Sequence, residues 1–228
     1  MDARYLLCIA LLLCTTLCVG QNAVQDCRPT TPVNLQSRTA LKHRQPSTVR
    51  PQQTTVAEIL NWAQPNRLWS KQVRESNDAI DERENQIYAV EGNLWRIVLE
   101  GNDCDLHLEV SDISKGASAT RIIAEIPQEQ DAARRQIISL LLPRDRNRLL
   151  NQYPNAKGNY RPINLKTPIR VKLVGYAFFD AHHYTTHWKT SKGGHCGFTP
   201  EEVRQRGSDH GTCYVGTIWE LHPVCKVE

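Results

Sequence analysis

The chain has 228 residues, with 28 Lys and Arg against 24 Asp and Glu, giving a formal net charge of +4. That balance is mild for this length and favours a soluble chain over a nucleic-acid binder, which concentrates basic charge on one face. After residue 20 no stretch is long and apolar enough to span a bilayer, so no transmembrane segment is expected in the mature chain.

At the N-terminus Arg4 precedes an apolar run from Tyr5 to Val19. The run is too short for a membrane span and has the length of a signal-peptide core. Cys18 and Gly20 are small enough for the −3 and −1 positions, so residues 1–20 are read as a signal peptide cut before Gln21. Neither Cys14 nor Cys18 follows a small residue, which argues against a lipid anchor. The expected address is export, to the periplasm or beyond.

Of the eight cysteines, Cys27, Cys104, Cys196, Cys213 and Cys225 remain after cleavage. In an oxidising compartment disulfides persist, and an odd number leaves at least one thiol outside an internal pair. Cys196–Cys213 is the expected disulfide, closing a loop of under about twenty residues and contributing about 3 kcal/mol in the chain-entropy model.

Residues 21–56 are rich in Pro, Thr, Gln and Ser, and between Arg28 and Val56 they carry five Lys and Arg with no acid. This composition predicts a disordered basic tether; the functional alternative is an arm that touches an anionic surface. Residues 57–85 are expected to hold a short helix, Ala57 to Ala63, and an irregular lead-in.

Residues 86–228 are expected to form the folded domain. YAVEGNLWRIVLEG (88–101) has strand composition, with Gly92 as the expected bulge or bend. DLHLEV (105–110) alternates, setting Leu106, Leu108 and Val110 on one face and Asp105, His107 and Glu109 on the other. TRIIAEI (120–126) is a third strand, with Arg121 and Glu125 on the polar side. Asp131 to Leu142 has helical spacing and is stopped by Pro143. PIRVKLVGYAFFD (168–180) and TIWELHPV (217–224) supply the last two strands, Glu220 and His222 sharing one face. The order predicts a mainly β domain: an OB-like five-stranded Greek-key β-barrel with a helix between strands three and four. A small open α+β sheet is the alternative.

The segments GNDCDLHLEVSD, IIAEIP, GYAFFDAHH and TIWELHPV, in this order, resemble an uncharacterised group of exported bacterial proteins. That group carries D-x-H-L, E-I-P, G-x-x-F-[FY]-D…H-G and E-[LI]-H-P-V motifs. The resemblance covers about residues 86–227 and falls on Asp105, His107, Glu125, Asp180, His183, His210, Gly211, Glu220 and His222. It implies no established activity. Relative to the group, this chain inserts a longer His-rich loop within 181–216.

Six of the eight histidines lie between His182 and His222. If strands four and five bring the ends of this segment together, Asp180, His183, His210, Glu220 and His222 form a candidate metal set, for which zinc is the natural ion. No cofactor is expected, though zinc is possible: there is no HExxH or CxxC, and the preferred reading has the same residues as carboxylate–imidazole pairs pinning the loop to the barrel. His195, Cys196, His210 and Cys213 could also make a Cys2His2 zinc site, against which the disulfide is preferred. On strands two and three, the usual OB ligand face, Asp105, His107 and Glu125 are candidate binding residues; a plain solvated face is the bland reading. Their acidity argues against specific nucleic-acid binding. Trp188, in the inserted loop, is the candidate stacking residue, whereas Trp95 and Trp219 read as strand packing. No phosphate-cradling glycine loop and no G-x-S-x-G elbow occur. The expected function is a non-catalytic binding or structural module of the cell envelope, with partner unknown. The rival is a metal-dependent hydrolase, nuclease-like only by analogy of fold.

Overall fold

The computed structural model describes residues 37–62, 82–100, 103–152, 162–180 and 215–228. In chain order these hold α1 (Ser37–Lys42), β1 (Gln52–Thr55), α2 (Val56–Leu60), β2 (Ile87–Leu99), β3 (Leu106–Ser111), β4 (Arg121–Ile126), α3 (Asp131–Leu140), α4 (Pro143–Leu150), β5 (Ile163–Phe179) and β6 (Val215–Val227). The signal segment 1–20 lies outside the described residues. Among those that are described, no helix is long and apolar enough to cross a membrane.

Five strands close a barrel in the order β2–β3–β4–β6–β5, with β5 returning to β2. The β4–β6 pair is parallel and the others are antiparallel. The chain is therefore mainly β with an OB-like closed barrel, as the element order predicts. The alternation read in β3 points Leu106, Leu108 and Val110 into the core, each fully buried. Ile122, Ala124 and Ile126 of β4 and Leu221 and Val224 of β6 meet them there. Asp105, His107, Glu109, Arg121, Glu125, Glu220 and His222 consequently share the outer wall.

The structure departs from the sequence reading at several points. Residues 37–56, expected within the disordered tether, carry α1 and β1. Gln52–Thr55 pairs in parallel with Tyr88–Glu91, the part of β2 that β3 does not reach. The segment orders because it has work at its end: Thr55 and Glu58 form a capping box, and Val56 and Ile59 are wholly buried in the core. The bulge in β2 falls at Trp95, between Leu94 and Arg96, and not at Gly92. Gly92 has a different reason: a Cβ there would stand 2.3 Å from Cγ1 of Val110 and 2.7 Å from the carbonyl oxygen of Ser111. A Cβ on Gly175 would likewise meet the Pro223 carbonyl at 2.6 Å, so only glycine lets β5 and β6 approach there.

Pro143 does not simply end a helix. The helix stops at Leu140, and Pro143 begins α4 at its first position, where a missing N–H costs nothing. The turn between them is held by Arg146, whose guanidinium donates to the carbonyls of Ile138, Ser139 and Leu141. From α3, the wholly buried Arg134 donates to the carbonyls of Cys104 at 2.8 Å and Ile126 at 3.0 Å. This ties the helix to the backbone beside Asp105, where Cys104 takes a left-handed φ of 70°.

Candidate metal centre

Three elements bring the site together on the outer wall of β3, β4 and β6. Leu106 to Ser111 pairs with Ile126 to Arg121, which sets His107 directly across from Glu125. The parallel β4–β6 register sets Ile123 opposite Glu220 and Ala124 opposite Leu221, carrying His222 to the Glu125 end of β4. Asp105 immediately precedes β3. The local alternation in each strand decides which side chains face this way, and the pairing decides that they meet.

His222 is the centre. Its Nδ1 lies 2.7 Å from Oε2 of Glu125 and 3.5 Å from Oε2 of Glu220, and its Nε2 lies 3.2 Å from Oδ2 of Asp105. His222 is 0%, Asp105 1% and Glu125 8% exposed. These are ion-pair contacts more than aligned hydrogen bonds: neither nitrogen of His222 and neither oxygen of Asp105 has an aligned hydrogen-bond partner. One donor atom each from Asp105, Glu125 and His222 lies within 4.8 Å of the others. Donor atoms sharing an ion at about 2.0–2.2 Å stand about 3–4 Å apart, so an ion taken by one His222 nitrogen would draw the carboxylates of Asp105 and Glu125 toward that nitrogen.

The charges reinforce one another. Burial works against the imidazolium of His222, but the charge of Glu125 and the contacts with Asp105, Glu125 and Glu220 hold its pKa well above the usual histidine range. Burial would raise Glu125, yet the charge of His222 and the contacts with His107 and His222 keep it well below the usual carboxylate range. Asp105 goes the other way, since burial outweighs the help of His222 and raises it. His107 is also raised: burial opposes the shift, and Glu125, at 3.2 Å, drives it.

The end of α1 and the segment after it lie across this wall. Lys42 places its ammonium 4.0 Å from Glu125 and 5.1 Å from the centre of the Phe178 ring. His43 contacts Glu129. Arg44 donates to the carbonyls of Glu84 and Ala177 and stacks over Tyr176, while Gln130 donates to the Arg44 carbonyl. Part of the basic arm thus docks on an acidic surface of its own chain.

The sequence reading kept two groups apart, and the structure joins them. Of the candidate binding residues, Asp105 and Glu125 are buried and meet His222 of the metal set, while the half-buried His107 joins them through Glu125; the face is not the plain solvated one of the alternative reading. Glu220 lies beside His222. Asp180 is buried, and its N–H donates to the Ile218 carbonyl at 3.1 Å, next to the Phe178–Glu220 pairing. Asp180 and Glu220 both act on Lys42. His183, His210, Trp188, Cys196 and Cys213 lie outside the described residues, so the loop part of the metal set and the disulfide do too. Cys225 is a free thiol. Trp219 is core, T-stacked on Phe179 at 5.1 Å and on Trp62 at 5.5 Å. Trp95 donates its indole N–H to Ser111 at 2.9 Å. Lys42 was missed as a site residue, because nothing in a Pro- and Gln-rich stretch says where one of its lysines will land.

Beside the site, Glu109 accepts from Arg121 at 2.9 Å and pairs with Arg96 at 3.1 Å, closing the rest of the polar wall. Comparisons with family models, with curated proteins and with solved structures found no match, so the fold and the site rest on the residues themselves.

Proposed function

We propose that this chain is an exported, non-catalytic module that binds one divalent transition-metal ion, zinc being the natural candidate, through Asp105, Glu125 and His222. The observation that carries the reading is the convergence of their donor atoms without aligned hydrogen bonds inside a buried wall. Buried polar groups left so are costly, by about 1–3 kcal/mol each, unless something else satisfies them. A dication would do so, and would also balance the clustered carboxylates. Binding requires His222 to give up its proton, so metal and proton compete for one position. By tying β3, β4 and β6 together, the ion would lock the wall of the barrel.

Three protein donors leave a fourth position on a tetrahedral ion; the burial of all three, with the Lys42 arm laid across them, supports a site that substrate does not reach, and so a non-catalytic role. Export is supported by the signal-like N-terminus and by the resemblance to exported bacterial proteins. The acidic wall supports a partner other than nucleic acid.

Metal analysis and zinc calorimetry on the mature chain, with Asp105→Asn and His222→Ala beside it, test the reading. One zinc per chain is expected, with at least a hundredfold weaker binding in both variants and no turnover of a simple phosphodiester. Absence of stoichiometric zinc binding, or full binding in both variants, contradicts the site. Zinc-dependent turnover lost in His222→Ala contradicts the non-catalytic role.

A further inference from the structure

Away from the metal site, α3, α4 and the first part of β5 enclose an open groove of about 340 Å³. It lies where β5 is irregular. Leu94 of β2 pairs with Ile169 and Arg96 with Asn164, so Leu165 to Pro168 bulge away from β2 opposite Trp95. On its other side β5 meets β6 only from Leu173 onward, beyond a Lys172–Glu228 backbone pair. The bulge and the helix pair thus leave a concave surface between them.

Its lining has two chemistries. Leu140, Leu142, Leu165, Pro168 and Ile169 are aliphatic, and Leu142 stands 71% exposed at the joint between the helices. Arg144, Arg148 and Lys166 are cationic, against one acid, Asp145, which pairs with Arg148 at 3.5 Å. Arg144 and Lys166 have no ion-pair partner among the described residues.

From this we infer that the groove is a binding site for a single-chain amphiphile with a carboxylate head, its aliphatic tail along the leucines and its head between Arg144 and Lys166. The volume is at the low end of the range of about 300–1,000 Å³ for small-molecule sites, which suits a medium-length chain. Guanidinium groups match a carboxylate in charge and in fork geometry. Other occupants fit less well. The lining holds no aromatic ring, so it offers no platform for a base. An added peptide strand would meet Pro168, which has no N–H to donate, and a bulge that breaks its register. The inference is independent of the metal site.

The test uses dodecanoate below its micellar concentration, titrated calorimetrically into the full mature chain, with dodecyltrimethylammonium as the cationic control. Saturable one-to-one binding of dodecanoate is expected, at least tenfold tighter than the cation. The double variant Arg144→Glu, Lys166→Glu, both at exposed positions, should weaken it at least tenfold with the melting temperature unchanged, and Leu142→Asn should weaken both probes. Equal affinity for the two amphiphiles, no saturable dodecanoate binding, or unchanged binding in the charge-reversed double variant would overturn the proposal.

Discussion

Oε2 of Glu125 lies 2.7 Å from Nδ1 of His222, across the parallel pair that closes the barrel. The two side chains come from strands nearly a hundred positions apart in the chain, and both are buried, so the pair reports directly on the closed state of the wall.

In metal-free protein, removing one partner should therefore be expensive. His222→Ala leaves Glu125 buried beside Asp105 and Glu220 with its main counter-charge gone, a class of change that costs about 3–5 kcal/mol. Urea denaturation in the presence of a chelator measures this. A cost below about 1 kcal/mol would show that the pair is not held as described.

The pH dependence of that cost has a definite sign. His222 has a folded pKa well above its ordinary 6.5, so its contribution is complete below pH 6.5 and is lost as pH rises through the folded value. The stability gap between wild type and His222→Gln, measured by thermal melting with chelator present, should be widest near pH 6 and narrow under alkaline conditions. A gap that widens with pH would contradict the assignment.

Much of this was legible in the letters. Period-two alternation in 105–110 and 120–126, with polar residues in phase, is the physical signature of an outer polar wall, and the strand–helix–strand order pointed to the barrel. The joining of Asp105 and Glu125 with His222 was not legible, because it depends on a parallel pairing between strands whose partners are set by closure of the whole sheet. Residues 37–56 misled for a related reason. Their composition reflects weak local preference, and their order comes from tertiary contacts: β1 filling the edge of β2, and Lys42 and Arg44 finding acidic and aromatic partners far along the chain.

Lys42 gives a prediction that separates metal from proton. Its ammonium, largely buried beside Glu125, supplies positive charge that a bound dication would oppose. Lys42→Gln should lower metal-free stability by about 1–2 kcal/mol, from the lost ion pair and ring contact, and should raise zinc affinity severalfold. Denaturation and calorimetry on the same variant check both. Weaker zinc binding in Lys42→Gln would mean that the arm supports the site instead of opposing it.

Cys225 is a free thiol whose burial pushes its pKa up to about 11, with Arg44 pulling slightly the other way. At pH 8 roughly one molecule in a thousand carries the thiolate, so alkylation by iodoacetamide should be slow. The rate should climb about tenfold per pH unit until near pH 11. A plateau by pH 9 would contradict the burial of this sulfur.

Zinc-edge anomalous diffraction from crystals of the zinc-loaded mature chain tests the central claim most directly. The expected result is a single peak about 2.0–2.2 Å from a carboxylate oxygen of Asp105, a carboxylate oxygen of Glu125 and a ring nitrogen of His222. A zinc-bound protein with its peak elsewhere, and with the Asp105–His222–Glu125 contacts intact and ion-free, would contradict it.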